Sequence, residues 1–162
     1  MTITVGDRLP RGTLLRMGEA GPEAVPTEAV FAGRRVVLFG LPGAFTGTCT
    51  TAHVPSFIRT KAGFDAKGVD AIVCVAGNDP WVMRAWGEAT GAEAAGLTLL
   101  GDPSGDFIEA LGVLFDAPQA GFHRRARRFA ALLEDGVVRV WHEEAGPGLC
   151  EATAGEAMLA AI

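Results

Sequence analysis

The chain has 162 residues, of which 49% are hydrophobic and 20% charged, and this is enough apolar material for the core of one domain over residues 1–162. A formal net charge of −5 argues against a general attraction to nucleic acid or to an anionic membrane surface. The first residues lack the apolar run of a signal peptide, and no stretch approaches the roughly 18 apolar residues that span a bilayer. We therefore expect a cytoplasmic protein that binds neither nucleic acid nor membrane.

The first half of the chain alternates apolar runs with helical segments. Residues 1–16 predict an irregular or short-strand entry, and Thr27–Ala32 predicts a brief helix. The continuous apolar run Arg35–Gly40 predicts a strand buried on both faces. A turn then leads into a helix predicted over about Cys49–Ala66, and Val69–Ala76 predicts a second buried strand.

The next segments continue this alternation. Asp79 and Pro80 are typical of a helix start, at the N-cap and the first helical position, and predict a helix through about Thr90. Leu97–Gly101 predicts a third strand, and Asp106–Leu111 predicts another helix.

The last third of the chain has a different pattern. Phe129–Glu134 and Val137–His142 are apolar segments separated by Asp135-Gly136, and they predict a β-hairpin with a type I′ turn. A final helix is predicted over about Ala154–Ile162. The whole order predicts an α/β fold in which helices flank a mixed central sheet, and a thioredoxin-like architecture is the natural candidate.

The segment from Pro42 to His53 carries the residues best suited to chemistry. Cys49 falls in the first turn of a predicted helix, where unpaired backbone N–H groups and the helix dipole favour a negative charge. The thiolate is the nucleophilic form of cysteine. Thr46 can place its hydroxyl beside the sulfur, and Pro42 stiffens the loop and could shield the thiolate from water. An isolated cysteine is more often a small buried hydrophobic residue, but this longer pattern favours a reactive thiol.

Four arginines form a basic cluster in this acidic chain: Arg124, Arg125, Arg127 and Arg128. A solvated surface patch is the simplest interpretation for three of them, and the net charge argues against nucleic-acid contact. Arg128 differs because it sits at a strand start and can point inward toward Cys49. A guanidinium there would stabilise the thiolate and the negative charge on a leaving oxygen.

The segment Phe39–His53 resembles the active-site segment of the peroxiredoxins, and within them the type II, or peroxiredoxin-five-like, subgroup. The resemblance covers nearly the whole chain. It continues through Lys67–Asp70, Asn78–Trp86, Asp102–Gly105 and Arg127–Phe129.

The resemblance implies a thioredoxin-like fold and the reduction of hydrogen peroxide and organic hydroperoxides without a metal or bound cofactor. It implies a catalytic site formed by Pro42, Thr46, Cys49 and Arg128, in which the Cys49 thiolate becomes a sulfenic acid. It also implies a role in antioxidant defence and redox homeostasis, and a homodimer.

Two further cysteines are candidates for resolving that sulfenic acid. Cys74 lies in an apolar strand at a position similar to the resolving cysteine of plant-like members, although a buried inert thiol is the simpler interpretation. Cys150 follows a Gly-Leu pair, one residue away from the position used in animal-like members. If neither serves, an external thiol such as glutathione, a glutaredoxin or a thioredoxin must attack Cys49. His53, one helical turn past Cys49, could tune the site or contact a partner subunit, or could simply be packed.

Two other functions fit the same fold. A thiol–disulfide oxidoreductase would normally have Cys-x-x-Cys or Cys-x-x-Ser, and here Thr46 stands at the first position. A non-catalytic peroxide sensor would stop after one equivalent of peroxide, whereas an enzyme turns over with a thiol donor.

Overall fold

A seven-stranded mixed β-sheet forms the centre of the computed structural model, which describes residues 1–162. In chain order, the strands are β1 (Thr13–Gly18), β2 (Gly21–Pro26), β3 (Arg35–Gly40), β4 (Ala71–Ala76), β5 (Thr98–Gly101), β6 (Leu114–Ala117), β7 (Phe122–Ala126), β8 (Phe129–Glu134) and β9 (Val137–Glu143). The large sheet has the order β2-β1-β5-β4-β3-β8-β9, and β6 and β7 form a separate two-stranded sheet. Strands β3, β4 and β5 run parallel, whereas β8 pairs antiparallel with β3.

Helices cover both faces of the sheet. They are α1 (Thr27–Phe31), α2 (Val54–Ala66), α3 (Pro80–Thr90), α4 (Asp106–Ala110) and α5 (Gly155–Ala160). Alternate residues of β3 belong to two hydrophobic cores: Val36 and Leu38 pack with α1 and α4, whereas Val37 and Phe39 pack with α2, α3 and α5. This two-sided burial explains the continuous apolar run of β3. None of the helices combines the length and the apolar character needed to cross a bilayer.

The register between β3 and β8 decides which residues meet at one end of the sheet. Gly40, the last residue of β3, lies opposite Phe129, the first residue of β8. A Cβ on Gly40 would collide with the Phe129 ring, so the ring occupies the space that a larger residue would fill. The chain that precedes Phe129 therefore lies beside the chain that follows Gly40, and this brings Arg128 to the segment containing Cys49.

Several local predictions are confirmed. The strand predicted at Arg35–Gly40 has those bounds. Asp79 caps α3 by accepting a hydrogen bond of 3.0 Å from the backbone N–H of Val82. In the hairpin of β8 and β9, Asp135 and Gly136 have φ values of 50° and 72°, as a type I′ turn requires. The α/β class with a mixed sheet flanked by helices is confirmed as well.

Other elements differ from their predictions or were not expected. The irregular or short-strand entry predicted over residues 1–16 does contain the start of β1, but its pairing with β2 was not expected. Strand β2 lies at the sheet edge and so tolerates its prolines. The pair β6 and β7 was not expected. The helix expected from Cys49 begins instead with a π-helical turn over Cys49–His53, and α2 starts at Val54.

Candidate active site

Cys49 lies where the chain re-enters helical structure after β3. It opens the π-helical turn, in which its carbonyl accepts a hydrogen bond from the backbone N–H of Val54, five residues later. Only 1% of the Cys49 surface is exposed. The thiol is thus held in the first turn of a helix, as expected, but in a nearly closed environment.

Arg128 lies against this sulfur and is itself only 2% exposed. Its Nη2 donates to Cys49 Sγ at 3.3 Å and to the Pro147 carbonyl at 2.9 Å. Its Nη1 lies 2.9 Å from Nδ1 of His53, and its Nε has no hydrogen-bond partner in the chain. The inward orientation expected from the strand start is confirmed, and a permanent positive charge contacts the sulfur.

His53 is fully buried and neutral. Its Nε2 lies 3.0 Å from the Thr153 carbonyl, which can only accept, so Nε2 carries the ring proton and Nδ1 is left to accept from Arg128. Burial and, to a smaller extent, the charge of Arg128 lower its pKa to about 3, although the hydrogen bond to Thr153 opposes this shift. The ring also lies 4.9 Å from the Phe39 ring, centroid to centroid. His53 therefore packs in the protein interior and also contacts Arg128 of the site.

The turn over residues 42–46 precedes Cys49 in the chain, and the Thr46 hydroxyl closes it with an internal hydrogen bond. Thr46 Oγ1 donates to the Gly43 carbonyl at 2.7 Å. Since this bond uses the hydroxyl proton, the lone pairs of the oxygen remain free to accept. From outside the turn, Asn78 Oδ1 accepts from the backbone N–H of Ala44 at 2.9 Å. The sequence pattern does not indicate Asn78 as a contact of this turn; its only local signal is its place before Asp79, the N-cap of α3.

Of the other arginines of the basic cluster, Arg124 and Arg127 are solvated at the surface as expected, with 42% and 40% of their side-chain surface exposed. Arg124 donates to the Ser104 carbonyl at 2.6 Å and pairs with Glu109, and Arg127 donates to the Gly112 carbonyl at 2.9 Å. Arg125 is half-buried and donates to the Pro42 carbonyl at 3.0 Å. The expectation is wrong for Arg125 alone, because its guanidinium meets the Pro42 carbonyl, which lies 83 residues away in the chain.

A loop over residues 144–153, which we call the C-terminal loop, closes the site from the other side. Glu144 Oε1 accepts from the backbone N–H groups of Glu151 at 2.7 Å and Thr153 at 2.8 Å, and from the Thr153 hydroxyl at 2.9 Å. Burial acts to raise the pKa of Glu144, but these bonds lower it below its ordinary value. The carboxylate thereby fixes the loop that offers its Pro147 and Thr153 carbonyls to the site.

The two other cysteines occupy different environments. Cys74 is fully buried in β4 with β3 on one side and β5 on the other, and burial together with the charge of Cys49 raises its pKa well above the ordinary value. Cys150 is half-buried in the C-terminal loop, and burial raises its pKa too. No group of three or more His, Cys, Asp or Glu side chains is arranged to hold a metal ion.

Comparison with known proteins shows what the chain is similar to. A family model described as Redoxin matches residues 4–158. The protein named "Peroxiredoxin-2E-2, chloroplastic" from Oryza sativa subsp. japonica is 46% identical over 166 residues, which cover 99% of this chain and 73% of the relative. The crystal structure of reduced Prx3 from Vibrio vulnificus in complex with H2O2 is 40% identical and covers 99% of each chain with a TM-score of 0.92. This similarity confirms the thioredoxin-like fold.

The expected cytoplasmic location is wrong by the same comparison. The rice relative is named as chloroplastic, and so is "Peroxiredoxin-2E, chloroplastic" from Arabidopsis thaliana, which is 40% identical over 99% of this chain and 70% of the relative. These names place both relatives in a plastid rather than in the cytoplasm. The expectation rested on the composition of the first residues, and that feature does not distinguish compartments inside a cell.

Proposed function

Because the chain belongs to the peroxiredoxin family, in its type II subgroup, we propose that Cys49 attacks the peroxide and that Pro42, Thr46 and Arg128 complete the catalytic site. The protein is a thiol peroxidase, and we assign its activity to residues 1–162 as one domain. The observation that carries the assignment is the 3.3 Å contact between Arg128 Nη2 and Cys49 Sγ, because a buried guanidinium favours the anionic, nucleophilic sulfur.

The first chemical step breaks the O–O bond. The Cys49 thiolate attacks the oxygen of ROOH that carries the hydrogen, an S–O bond forms, and the sulfenic acid keeps that hydrogen. The leaving RO⁻ takes a proton from solvent and becomes ROH, or water when the substrate is hydrogen peroxide. Thr46 accepts the hydrogen bond of the peroxide hydroxyl, since its own proton is held by Gly43. Arg128 stabilises the negative charge that moves from sulfur to the leaving oxygen.

The second half of the cycle returns Cys49 to the thiol. An external thiol, namely glutathione, a glutaredoxin or a thioredoxin, supplies the electrons. Accessibility supports Cys150 rather than Cys74 as an internal resolving thiol, because Cys150 is half-buried in a loop whereas Cys74 is enclosed in the sheet. Cys74 packs in the same hydrophobic core as Cys49, so a disulfide with Cys74 would have to form inside that core, whereas Cys150 lies in the C-terminal loop.

The protein also fits a homodimer that forms near the site. Phe45 and Trp81 are large hydrophobic residues with 57% and 63% of their surface exposed. The bond between Ala44 and Asn78 brings their two segments together on one side of the molecule. Sedimentation of the wild type and of Trp81→Glu tests this surface: a dimer that dissociates in the variant is expected, and a monomeric wild type contradicts the proposal.

Peroxide consumption with dithiothreitol tests the assignment of Cys49. Wild type is expected to turn over repeatedly, whereas Cys49→Ser consumes no peroxide. The variants Cys74→Ala and Cys150→Ser keep Cys49 and serve as matched thiol controls for the first equivalent of peroxide. Consumption that stops after one equivalent would indicate a sensor, and retained consumption in Cys49→Ser would overturn the assignment.

A further inference from the structure

Arg125 contacts the Cys49 site without belonging to the catalytic set. Its Nη1 donates to the Pro42 carbonyl at 3.0 Å across 83 residues of sequence. We propose that Arg125 is a positioning residue, which holds the turn 42–46 so that the Thr46 hydroxyl stays oriented toward the peroxide. The inference rests on the proposed peroxidase function and adds a residue to the support of the same site.

The turn needs support because its backbone is strained. Phe45 has a φ of 62°, in the left-handed region that non-glycine residues rarely adopt. Such a conformation persists only where the surroundings hold it. Arg125 holds the turn at Pro42, and Asn78 holds it at Ala44. The two contacts act on opposite polar groups, a carbonyl and an N–H, and they fix the turn on both sides of Gly43.

Two glycines leave the space that the guanidinium occupies. A Cβ on Gly43 would collide with Arg125 Nη1. A Cβ on Gly77 would lie 3.0 Å from Arg125 Cδ and 2.9 Å from the Arg124 carbonyl. Gly43 does not have a positive φ, so space rather than backbone conformation is what requires glycine there. Glycine at both positions therefore leaves room for the Arg125 side chain to reach the turn.

The Arg125 guanidinium also packs against an aromatic ring, and its charge interacts with that of Cys49. Arg125 Cζ lies 5.4 Å from the centroid of the Phe122 ring, a cation–π contact. Partial burial lowers the pKa of Arg125, and the charge of Cys49 opposes that shift. Arg125 could therefore affect Cys49 through its charge alone, and a test must separate that effect from positioning.

Two rate constants of Cys49 distinguish the charge effect of Arg125 from its effect on the position of the turn. Reaction with hydrogen peroxide needs the thiolate and an aligned O–O bond, whereas alkylation by iodoacetamide needs only the thiolate. The variants are Arg125→Gln, which removes the contact and the charge, Gly43→Ala, which displaces the guanidinium but keeps its charge, and the double variant. All are made in a Cys150→Ser background so that alkylation reports Cys49. Arg139→Gln removes an equivalent charge from an exposed pair with Glu134 and is the control.

We expect each single variant to lose about tenfold or more of the peroxide rate, as misplaced reacting groups do, while the alkylation rate stays within about threefold. The double variant should be no slower than the slower single variant, since both remove one contact. A peroxide rate that is retained in both single variants, a parallel loss of both rates, or additive losses would overturn the proposal. Peroxide consumption that persists in Cys49→Ser would instead overturn the proposed function, independently of Arg125.

Discussion

Arg128 and His53 form a buried pair in which Nη1 of the guanidinium lies 2.9 Å from Nδ1 of the imidazole. The imidazole can accept this bond because its proton is fixed on Nε2 by the Thr153 carbonyl. The same guanidinium donates through Nη2 to Cys49 Sγ. His53 therefore orients the cation that contacts the reactive sulfur, and its own two ring nitrogens bond to Thr153 and Arg128 rather than to that sulfur.

Replacing His53 should affect both rate and stability. In His53→Ala the Nη1 donor loses its acceptor inside the protein, and a buried unsatisfied group of this kind costs about 1–3 kcal/mol. We expect a lower free energy of unfolding in urea and a slower peroxide step. His53→Asn places an oxygen acceptor near the position of Nδ1, so it should recover part of the rate. A His53→Ala protein that is oxidised as fast as wild type would exclude this role.

The low pKa of His53 predicts a pH dependence of stability. Its pKa is about 3 in the folded protein and 6.5 ordinarily. Between these values the unfolded chain binds a proton that the folded protein does not, so stability is complete above pH 6.5 and falls as the pH decreases toward 3. In urea unfolding, the stability difference between wild type and His53→Asn should shrink by about 2 kcal/mol from about pH 7 to about pH 5. A difference that stays constant would show that His53 is not the titrating group.

Substitution of Arg128 should slow the peroxide step more than any other change outside Cys49. Arg128→Ala removes a donor that stabilises the transition state, and such losses reduce rates by on the order of 10² or more. Arg128→Lys keeps the charge, but one ammonium group cannot replace the fork that bonds Cys49 and His53 together. We expect it to remain slow as well. Stopped-flow measurement of the second-order rate constant checks both variants, and recovery of the full rate in Arg128→Lys would show that charge alone suffices.

The fate of the sulfenic acid should distinguish the two remaining thiols. After one equivalent of peroxide, wild type and Cys74→Ala are expected to form an intramolecular disulfide, because Cys150 is the more accessible thiol. In Cys150→Ser the sulfenic acid should persist and react with dimedone. Intact mass spectrometry identifies each product. A disulfide that is lost in Cys74→Ala and kept in Cys150→Ser would reverse the assignment.

The sequence predicts the central elements well because their signals are local. The apolar run of β3 and the Asp79-Pro80 start of α3 determine their own conformations, and the structure has them as predicted. The edge hairpin of β1 and β2 has no such signal, since β2 contains two prolines and is mostly exposed. Its strand conformation comes from pairing with β1 rather than from its own residues.

The sequence predicts the reactive residues of the site, but it does not predict the residues that hold them in place. The sequence segment around Cys49 identifies the sulfur, the turn and Thr46, all within a few residues of one another. The roles of Arg125 and His53 depend on atoms 83 and 75 residues away, which no local pattern encodes. The π-helical turn, by contrast, has a local signal in the sequence: Pro55, in the first turn of α2, has no N–H to donate to the carbonyl four residues earlier and so disturbs the regular helix there.

The near-complete burial of Cys49 has a consequence for the order of events in turnover. A peroxide is small enough to reach the sulfur of a residue that is only 1% exposed, but a donor protein is too large to bring its thiol there. Oxidation can therefore occur in the closed molecule, and reduction has to wait until the turn or the C-terminal loop opens. With abundant donor, the frequency of this opening, rather than donor concentration, would set the pace of regeneration.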